Sequence, residues 1–592
     1  MAKNNKKVDT IVKSELKETI VKAKKSIIMV GFFSMFINLL MLVPPLYMLQ
    51  LYDRVVTSRS ESTLIMLTLI VIVLFITMGL LEMVRSRVLI KFGNKFSNLL
   101  SDRVFDSTFE LANKKPDAAS SRLMGDLMQI RQFLSGNGLY AFFDAPWIPI
   151  YIGMLFLFHV YFGIFAIVAA IILVVFTLLN EYTTKEKMNE ANTLNRESMM
   201  HLESTLRNAE VVNAMGMKTN IRKKWEKKYF GFLNAQNEAS NKSSIWSNTS
   251  KTSRMFFQSM ILGLGAYLAI KMELSPGMMI AGSIIMGRAL APLDLMINTW
   301  KGFSSARMSF KRVDELLNDF PKEKEYMELP APKGNLSIEN VFAKPPASEK
   351  YSLQELNLNV EKGDVVGVVG PSAAGKSTFA RIILGVWPVA HGTVRMDGAD
   401  ISQWDREHLG QFIGYLPQDI ELFEGTVSEN IARFSQVDPN KVIDAAIKAG
   451  VHEMILRLPD GYDTVIGKAG MILSGGQRQR IGLARAIYGN PVFVVLDEPN
   501  SNLDDQGELA LVKTVEELKK TDTTVIIITH RPNILKVTNK LAMMNAGKVE
   551  KYGNTADIFN ALAEQQKAAA QAAAQQKAKT AAQQITLSKP GS

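Results

Sequence analysis

The chain has 592 residues, a net charge of +11 and no cysteine, so disulfides and thiolate metal sites are excluded, and its six scattered histidines do not make a zinc site. The length allows about two to four domains. A mean hydropathy of +0.06, with 30 Met and 30 Phe, fits a membrane part joined to a soluble part, and Lys and Arg at a membrane face explain the basic balance better than nucleic acid does.

Residues 1–25 are Lys-rich, with Lys3, Lys6, Lys7, Lys13, Lys17, Lys22, Lys24 and Lys25. The apolar run that follows is about 25 residues long and passes through Pro44-Pro45 with no small-residue cleavage site. This predicts a basic cytoplasmic N-terminus and a retained anchor. Within 26–320 six spans are expected, at 27–49, 63–84, 139–158, 162–180, 255–271 and 276–298, each near the ~20 residues a bilayer requires. The connections near 50–62, 159–161 and 272–275 are short, whereas 85–138 and 181–254 are long, polar and rich in Lys and Arg. The positive-inside rule places the long loops and both termini in the cytoplasm. Asp144, Arg288 and Asp294 lie within or beside apolar spans, where an ionisable group lines a pathway, forms an internal ion pair or snorkels to the headgroups. Pro146 and Pro149 can kink a helix.

Residues 318–334 carry Pro, Lys and Glu with no apolar period, so 321–334 is read as a linker and 335–562 as a second domain. The run Val365–Val369 reads as a buried strand, and Gly370, Pro371, Ser372, Ala373, Ala374, Gly375, Lys376, Ser377 and Thr378 follow it. This is a phosphate-binding loop. Its glycines let successive N–H groups turn inward, Lys376 is placed for the β/γ-phosphates, and the Ser377 hydroxyl for Mg²⁺. About a hundred residues later, in the run LSGGQ, Ser474, Gly475, Gly476 and Gln477 put two glycines ahead of a helix expected to begin near Gln477, which offers a second anion site.

Together the two motifs resemble the ATP-binding cassette (ABC) superfamily. The resemblance implies ATP and Mg²⁺ as cofactors. It also implies roles for residues that alone would be read as caps or turn residues. Gln418, in Tyr415-Leu416-Pro417-Gln418, can reach Mg²⁺ or the attacking water. Asp497 ends the apolar run Phe493–Leu496 and fits a direct or outer Mg²⁺ ligand, and Glu498 fits the group that polarises the water. Asp504 belongs to a loop that crosses to an opposing cassette, and His530, after the strand 525–529, fits a γ-phosphate sensor. Phe342 and Tyr351 are candidates for stacking on adenine, although the usual aromatic position is not plainly filled. Lys468 stands where relatives usually carry Glu. Residues 208–217 are the candidate coupling helix that docks into a partner cassette, against the simpler reading of a solvated helix. One loop and one signature per chain imply a homodimer around two ATP.

The stretches 47–59 (YMLQLYDRVVTSR), 142–149 (FFDAPWIP) and 287–307 (GRALAPLDLMINTWKGFSSAR) are similar to the transmembrane part of type I protein-secretion ABC transporters, the subgroup exporting proteases and lipases. The expected fold is an α-helical six-span transmembrane domain of the ABC exporter type fused to an α/β P-loop nucleotide-binding domain. The resemblance implies a multi-pass protein of the bacterial inner membrane, working in membrane lipid with a periplasmic membrane-fusion adaptor, an outer-membrane channel and a secreted protein substrate that bears a C-terminal signal. Nucleic acid is not an expected partner. Residues 1–25 are too short for the peptidase domain that some peptide exporters carry in front. An exporter of lipid or small molecules shares the architecture; a non-transport ABC ATPase lacks the spans. Residues 563–592 form an Ala/Gln/Lys-rich tail, expected to be a solvated helix with a disordered end.

Overall fold

A computed structural model describes residues 15–114, 122–136, 138–322, 329–346, 348–467, 473–561 and 564. Lys468 and almost all of the tail lie outside the described residues. The chain divides into two compact units: Met1–Glu110 with Ala119–Lys322, and Leu111–Ala118 with Glu323–Ser592.

The first unit is helical. Among the described residues six helices are long and apolar enough to cross a membrane: Lys24–Ser58, Glu61–Lys114, Gly138–Phe158, Val160–Arg207, Lys218–Ile270 and Pro276–Asp319. Four of them run well beyond the apolar stretches that define the expected spans. Hydropathy marks where lipid ends, but the helix continues as long as its backbone bonds do. The fourth, 48 residues, is about 70 Å long, more than twice a hydrocarbon core. In the apolar stretch of the second, side chains such as Leu69, Ile70 and Val73 are exposed, as a lipid-facing surface requires, whereas Leu89, Phe92 and Phe96 farther along are buried.

The first span is interrupted. A turn follows Leu40, and the helix resumes at Val43 with prolines in its first turn, where a missing N–H costs no bond. A π-turn over Leu51–Val55 then places Asp53 against the start of the sixth span, where it accepts from Gly277 N (2.8 Å) and Ser275 Oγ (2.5 Å). This puts an anion at a helix N-terminus. A Cβ at Gly277 would lie 2.5 Å from Asp53 Oδ1, so the contact requires glycine. Deeper in the unit, the buried Phe162 ring fills space left by Gly265 and Gly282 of the fifth and sixth spans.

Buried charges are partnered. Arg85, 6% exposed, pairs with Asp144 at 3.2 Å, and Asn38 Nδ2 donates to the same carboxylate at 2.8 Å. The Tyr151 hydroxyl donates to Asn38 Oδ1 (3.0 Å), and Tyr140 lies under the guanidinium at 4.3 Å. Asp294 pairs with Arg254 and accepts from Ser250 Oγ at 2.7 Å. Of the readings open for Asp144 and Asp294, both residues take the internal ion pair. Arg288 Nη1 contacts the Met41 sulfur at 3.8 Å. Farther along the sixth helix, Arg312 and Ser309 both bind Asp126 of the helix Arg122–Ser135.

The second unit is α/β. Its strands are β1 (Leu336–Ala343), β2 (Leu353–Val360), β3 (Val365–Val369), β4 (His391–Met396), β5 (Ala399–Asp400), β6 (Ile413–Leu416), β7 (Gly425–Thr426), β8 (Val465–Ile466), β9 (Phe493–Asp497), β10 (Thr524–Ile528), β11 (Lys540–Asn545) and β12 (Lys548–Asn554). They form a four-stranded sheet, β2-β1-β4-β5, a six-stranded sheet, β12-β11-β3-β10-β9-β6, and the pair β7-β8. In the larger sheet β11, β3, β10, β9 and β6 are parallel and β12 pairs antiparallel at the edge. Separate apolar cores flank it, one built on Phe379, Val366 and Val495, the other on Ile481, Leu496 and Val525. Burial on both faces explains why β3, β9 and β10 are continuous apolar runs.

Removing one partner of a buried ion pair leaves an uncompensated charge. Arg85→Ala is expected to destabilise the detergent-solubilised protein by about 3 kcal/mol in thermal unfolding. The double change Arg85→Met/Asp144→Leu is expected to recover most of that loss.

Candidate functional site

The phosphate loop follows β3 and ends at the helix Lys376–Ile383. Gly375 precedes that helix with φ +95°, and a Cβ there would sit 2.5 Å from Ser352 O. A Cβ at Gly370 would sit 2.2 Å from Met544 O. Packing therefore demands glycine at both positions, and torsion demands it at Gly375 as well. Ala373 also takes a left-handed conformation, φ +65°, which curls the loop. Lys376 is 7% exposed, and its ammonium donates to Gly370 O (2.8 Å) and Pro371 O (2.9 Å) across the loop. Burial lowers its pKa, while Glu498 and Asp497 act in the opposite sense. Ser377 follows on the first turn, and the Thr378 hydroxyl accepts from Ser352 Oγ at 3.0 Å.

The strand β9 delivers two acids with different surroundings. Asp497 is 3% exposed, and burial, then the neighbouring Glu498, push its pKa up to about 6, against the pull of Arg381 and Lys376. Glu498 leaves the sheet in a left-handed conformation, φ +49°, with its N–H bonded to Ile528 O at 2.8 Å. Gln418 Nε2 donates to Glu498 Oε2 (3.0 Å), and His530 Nε2 lies 3.3 Å from Glu498 Oε1. Residues 418, 498 and 530, far apart in sequence, thus meet at one carboxylate because β6, β9 and β10 are adjacent parallel strands ending on the same side.

Ser474, Gly475, Gly476 and Gln477 begin a separate helix, Gly475–Ile487, two residues earlier than the sequence suggested. The reason is a capping box: Gln477 N donates to Ser474 Oγ (3.2 Å), and Ser474 N to Gln477 Oε1 (2.8 Å). A Cβ at Gly476 would lie 2.8 Å from Asn502 O, so the loop after β9 packs directly on the signature turn. Asp504 caps the helix Asp505–Lys520 through Gly507 N (2.8 Å) and pairs with Arg480 at 3.6 Å.

Three participants were not found by sequence reasoning. The buried Gln479 side chain donates to the Glu498 and Pro499 carbonyls and accepts from Asn502 N, tying the signature helix to the turn that follows β9. Arg381 stacks on Trp387 (4.5 Å) and holds down the Asp497 pKa. Asn500 is 3% exposed and accepts from Thr529 Oγ1 at 3.3 Å. Gln479, two residues past LSGGQ, was the one with a positional signal. Phe342 and Tyr351 meet edge to face at 5.9 Å, and of the two rings Tyr351 is the more exposed.

The donor set suits a magnesium nucleotide. The glycine cradle, a loop lysine and a helix N-terminus match phosphate chemistry. Among the described residues no cluster of three or more His, Asp or Glu side chains is able to hold a metal unaided. Mg²⁺ sites commonly use one or two protein oxygens together with substrate phosphates.

Residues 27–291 match the family model for the ABC transporter transmembrane region, and 353–501 that for the ABC transporter. The chain is 42% identical over 526 residues, 88% of its length and 90% of the relative's, to the type I secretion system ATP-binding protein PrsD of Rhizobium meliloti (strain 1021). The chain belongs to the ABC transporter family. The transporter is also 29% identical, over 92% of its length and 78% of the relative's, to the alpha-hemolysin translocation ATP-binding protein HlyB of Escherichia coli O157:H7. In fold it matches a bacterial Atm1-family ABC exporter with ATP bound, at TM-score 0.76 and 21% identity, covering 93% of this chain and 97% of that one. The expected fold is borne out: a helical transmembrane unit and an α/β ATP-binding cassette on one chain.

The Asp497 shift has a stability consequence. Its folded pKa of about 6 exceeds the ordinary 3.8, so between those values the folded state holds a proton the unfolded chain lacks. Stability from this group therefore rises as pH falls through about 6 and is complete near 3.8. Asp497→Asn is expected to stabilise the transporter at neutral pH by up to about 3 kcal/mol. The gain should shrink on acidification, measured by thermal unfolding in chelator. An Asn variant less stable than wild type at pH 7 would contradict the buried-charge account.

Proposed function

We propose that the transporter is the ATPase of a type I secretion system and moves an unfolded polypeptide with a C-terminal signal across the bacterial inner membrane. The observation that carries this is the 42% identity to PrsD across 88% of the chain, which takes in membrane unit and cassette alike. The reading includes cytoplasmic termini, a homodimer, a periplasmic adaptor and an outer-membrane channel.

In this reading the loop from Gly370 to Thr378 holds the triphosphate by its backbone N–H groups, and Lys376 neutralises its charge. Ser377, Asp497 and Gln418 hold Mg²⁺. Bound Mg²⁺–ATP supplies an electrophilic phosphorus and a metal that spreads the developing charge. Glu498 then orients the attacking water and accepts its proton, and Gln418 and His530 fix its carboxylate, since each binds a different oxygen. Ser474–Gln477 serve the nucleotide of the partner chain, with Asp504's loop beside them. The short helix Ala209–Ala214, which joins the fourth and fifth long helices, exposes Val211 and, just beyond it, Met215. It is the segment proposed to dock into the partner cassette.

Glu498→Gln is expected to lower turnover by 10²–10⁴-fold, roughly the range for losing a general base, while ATP binding persists. Wild-type turnover in lipid should respond to a C-terminal secretion-signal peptide and not to its scrambled form. Stimulation by particular lipids alone would instead indicate the lipid exporter. Val211→Asp/Met215→Asp is expected to leave basal hydrolysis near wild type and remove the response to the signal peptide.

A further inference from the structure

Just past the apolar stretches of the fourth, fifth and sixth spans, the three helices line an open cavity of about 280 Å³. Its lining includes Lys185 from the fourth, Ser243 and Ser247 from the fifth, and Asn298, Trp300 and Lys301 from the sixth. Ser247 Oγ donates to Asn298 Oδ1 at 2.6 Å and ties two of the walls together.

The lining is rich in donors and contains two lysines and no carboxylate. The contrast with Lys187 is instructive. That residue, two positions from Lys185, is already paired with Glu190 and Glu238 at 3.1 Å. Among the described residues neither Lys185 nor Lys301 has an ion pair. A polar cavity with two uncompensated cations attracts an anion. The run of serine hydroxyls marks a water-filled wall and not one facing acyl chains, which favours a peptide over a lipid. Met188, Ile297 and Trp300 add apolar surface to the same lining.

We infer that this cavity binds an acidic, partly apolar segment of the exported polypeptide, its carboxylates meeting Lys185 and Lys301 and its apolar side chains meeting Trp300. The inference rests on the protein-export reading and adds the chemistry that the export path selects for.

The test uses the full-length transporter in phosphatidylcholine nanodiscs and two fluorescein-labelled peptides, Leu-Glu-Leu-Glu-Leu and Leu-Lys-Leu-Lys-Leu, followed by anisotropy. The acidic peptide is expected to bind wild type more tightly than the basic one does. It should bind Lys185→Gln/Lys301→Gln about tenfold more weakly, the sum of two exposed charge contacts, and Lys185→Arg/Lys301→Arg near wild type. Basal ATPase should be unchanged in both variants, which controls for folding. Equal binding to wild type and the Gln variant, or no preference for the acidic peptide, overturns the inference. So does a phosphatidylglycerol stimulation of ATPase that depends on these lysines when the acidic peptide does not bind, because the cavity is then a headgroup site. A secretion-signal peptide added to the same samples separates the two failures. If it modulates wild type and the Gln variant alike, export stands and the cavity does not; if it modulates neither, export falls too.

Discussion

Everything in the cassette depends on how a fully buried strand ends. β9 lies between β10 and β6, and all five of its residues are buried. The sheet buries Asp497 at the strand's last position and turns Glu498 out through a left-handed residue. Two adjacent carboxylates thereby acquire opposite characters. One is desolvated, with its proton affinity raised; the other is partly exposed and held by an amide and an imidazole. The roles proposed for them, a metal ligand and a water-polarising base, need that separation, and the parallel sheet supplies it without any specialised loop. It also brings Gln418 and His530 to the same edge, because neighbouring parallel strands end together.

The membrane unit obeys the same rule in a drier solvent. A charge is kept where it has a partner with a structural task. Asp53 caps the sixth span, Asp144 joins Arg85 and Asn38, and Asp294 joins Arg254 and Ser250. Each links separate helices, consecutive ones in the case of Asp294, which apolar packing alone does weakly when lipid tails compete equally well for the same surfaces. The resemblance stretches 47–59, 142–149 and 287–307 contain Asp53, Asp144 and Asp294 respectively. What looked like a family fingerprint is, in physical terms, a set of helix-to-helix fastenings.

The sequence was most legible where one local pattern decides the outcome. Val365–Val369 with the glycine loop, and the six apolar stretches, needed no tertiary information. Two kinds of feature were hidden. Helix length beyond the bilayer was one, because polar residues such as those in 181–207 carry no hydropathy signal although they propagate a helix well. Tertiary partners were the other. Arg85 could not be matched to Asp144, 59 residues away, nor Gln479 to the Glu498 carbonyl, from composition or spacing. The start of the signature helix was placed at Gln477 because the glycines looked like loop, whereas the Ser474–Gln477 capping box draws both glycines into the first turn.

That capping box bears on why two chains are proposed. It satisfies the N–H groups of Ser474 and Gln477. The N–H groups of Gly475 and Gly476, at the first two helical positions, have no intrahelical acceptor by the geometry of any helix start. Asn502 O crowds Gly476, so the turn keeps a bare backbone there. The result is a second preorganised anion site on a chain whose phosphate loop already has Lys376 and its own helix N-terminus. A single triphosphate pressed between two such sites contributes negative charge to both. In the proposed homodimer two copies arranged head to tail would pair each loop with the other's signature, with ATP as the joint. In the proposed dimer, hydrolysis breaks the covalent bridge of the joint, and release of the freed phosphate carries its negative charge out of the site, which would give a cycle of closing and opening an electrostatic cause.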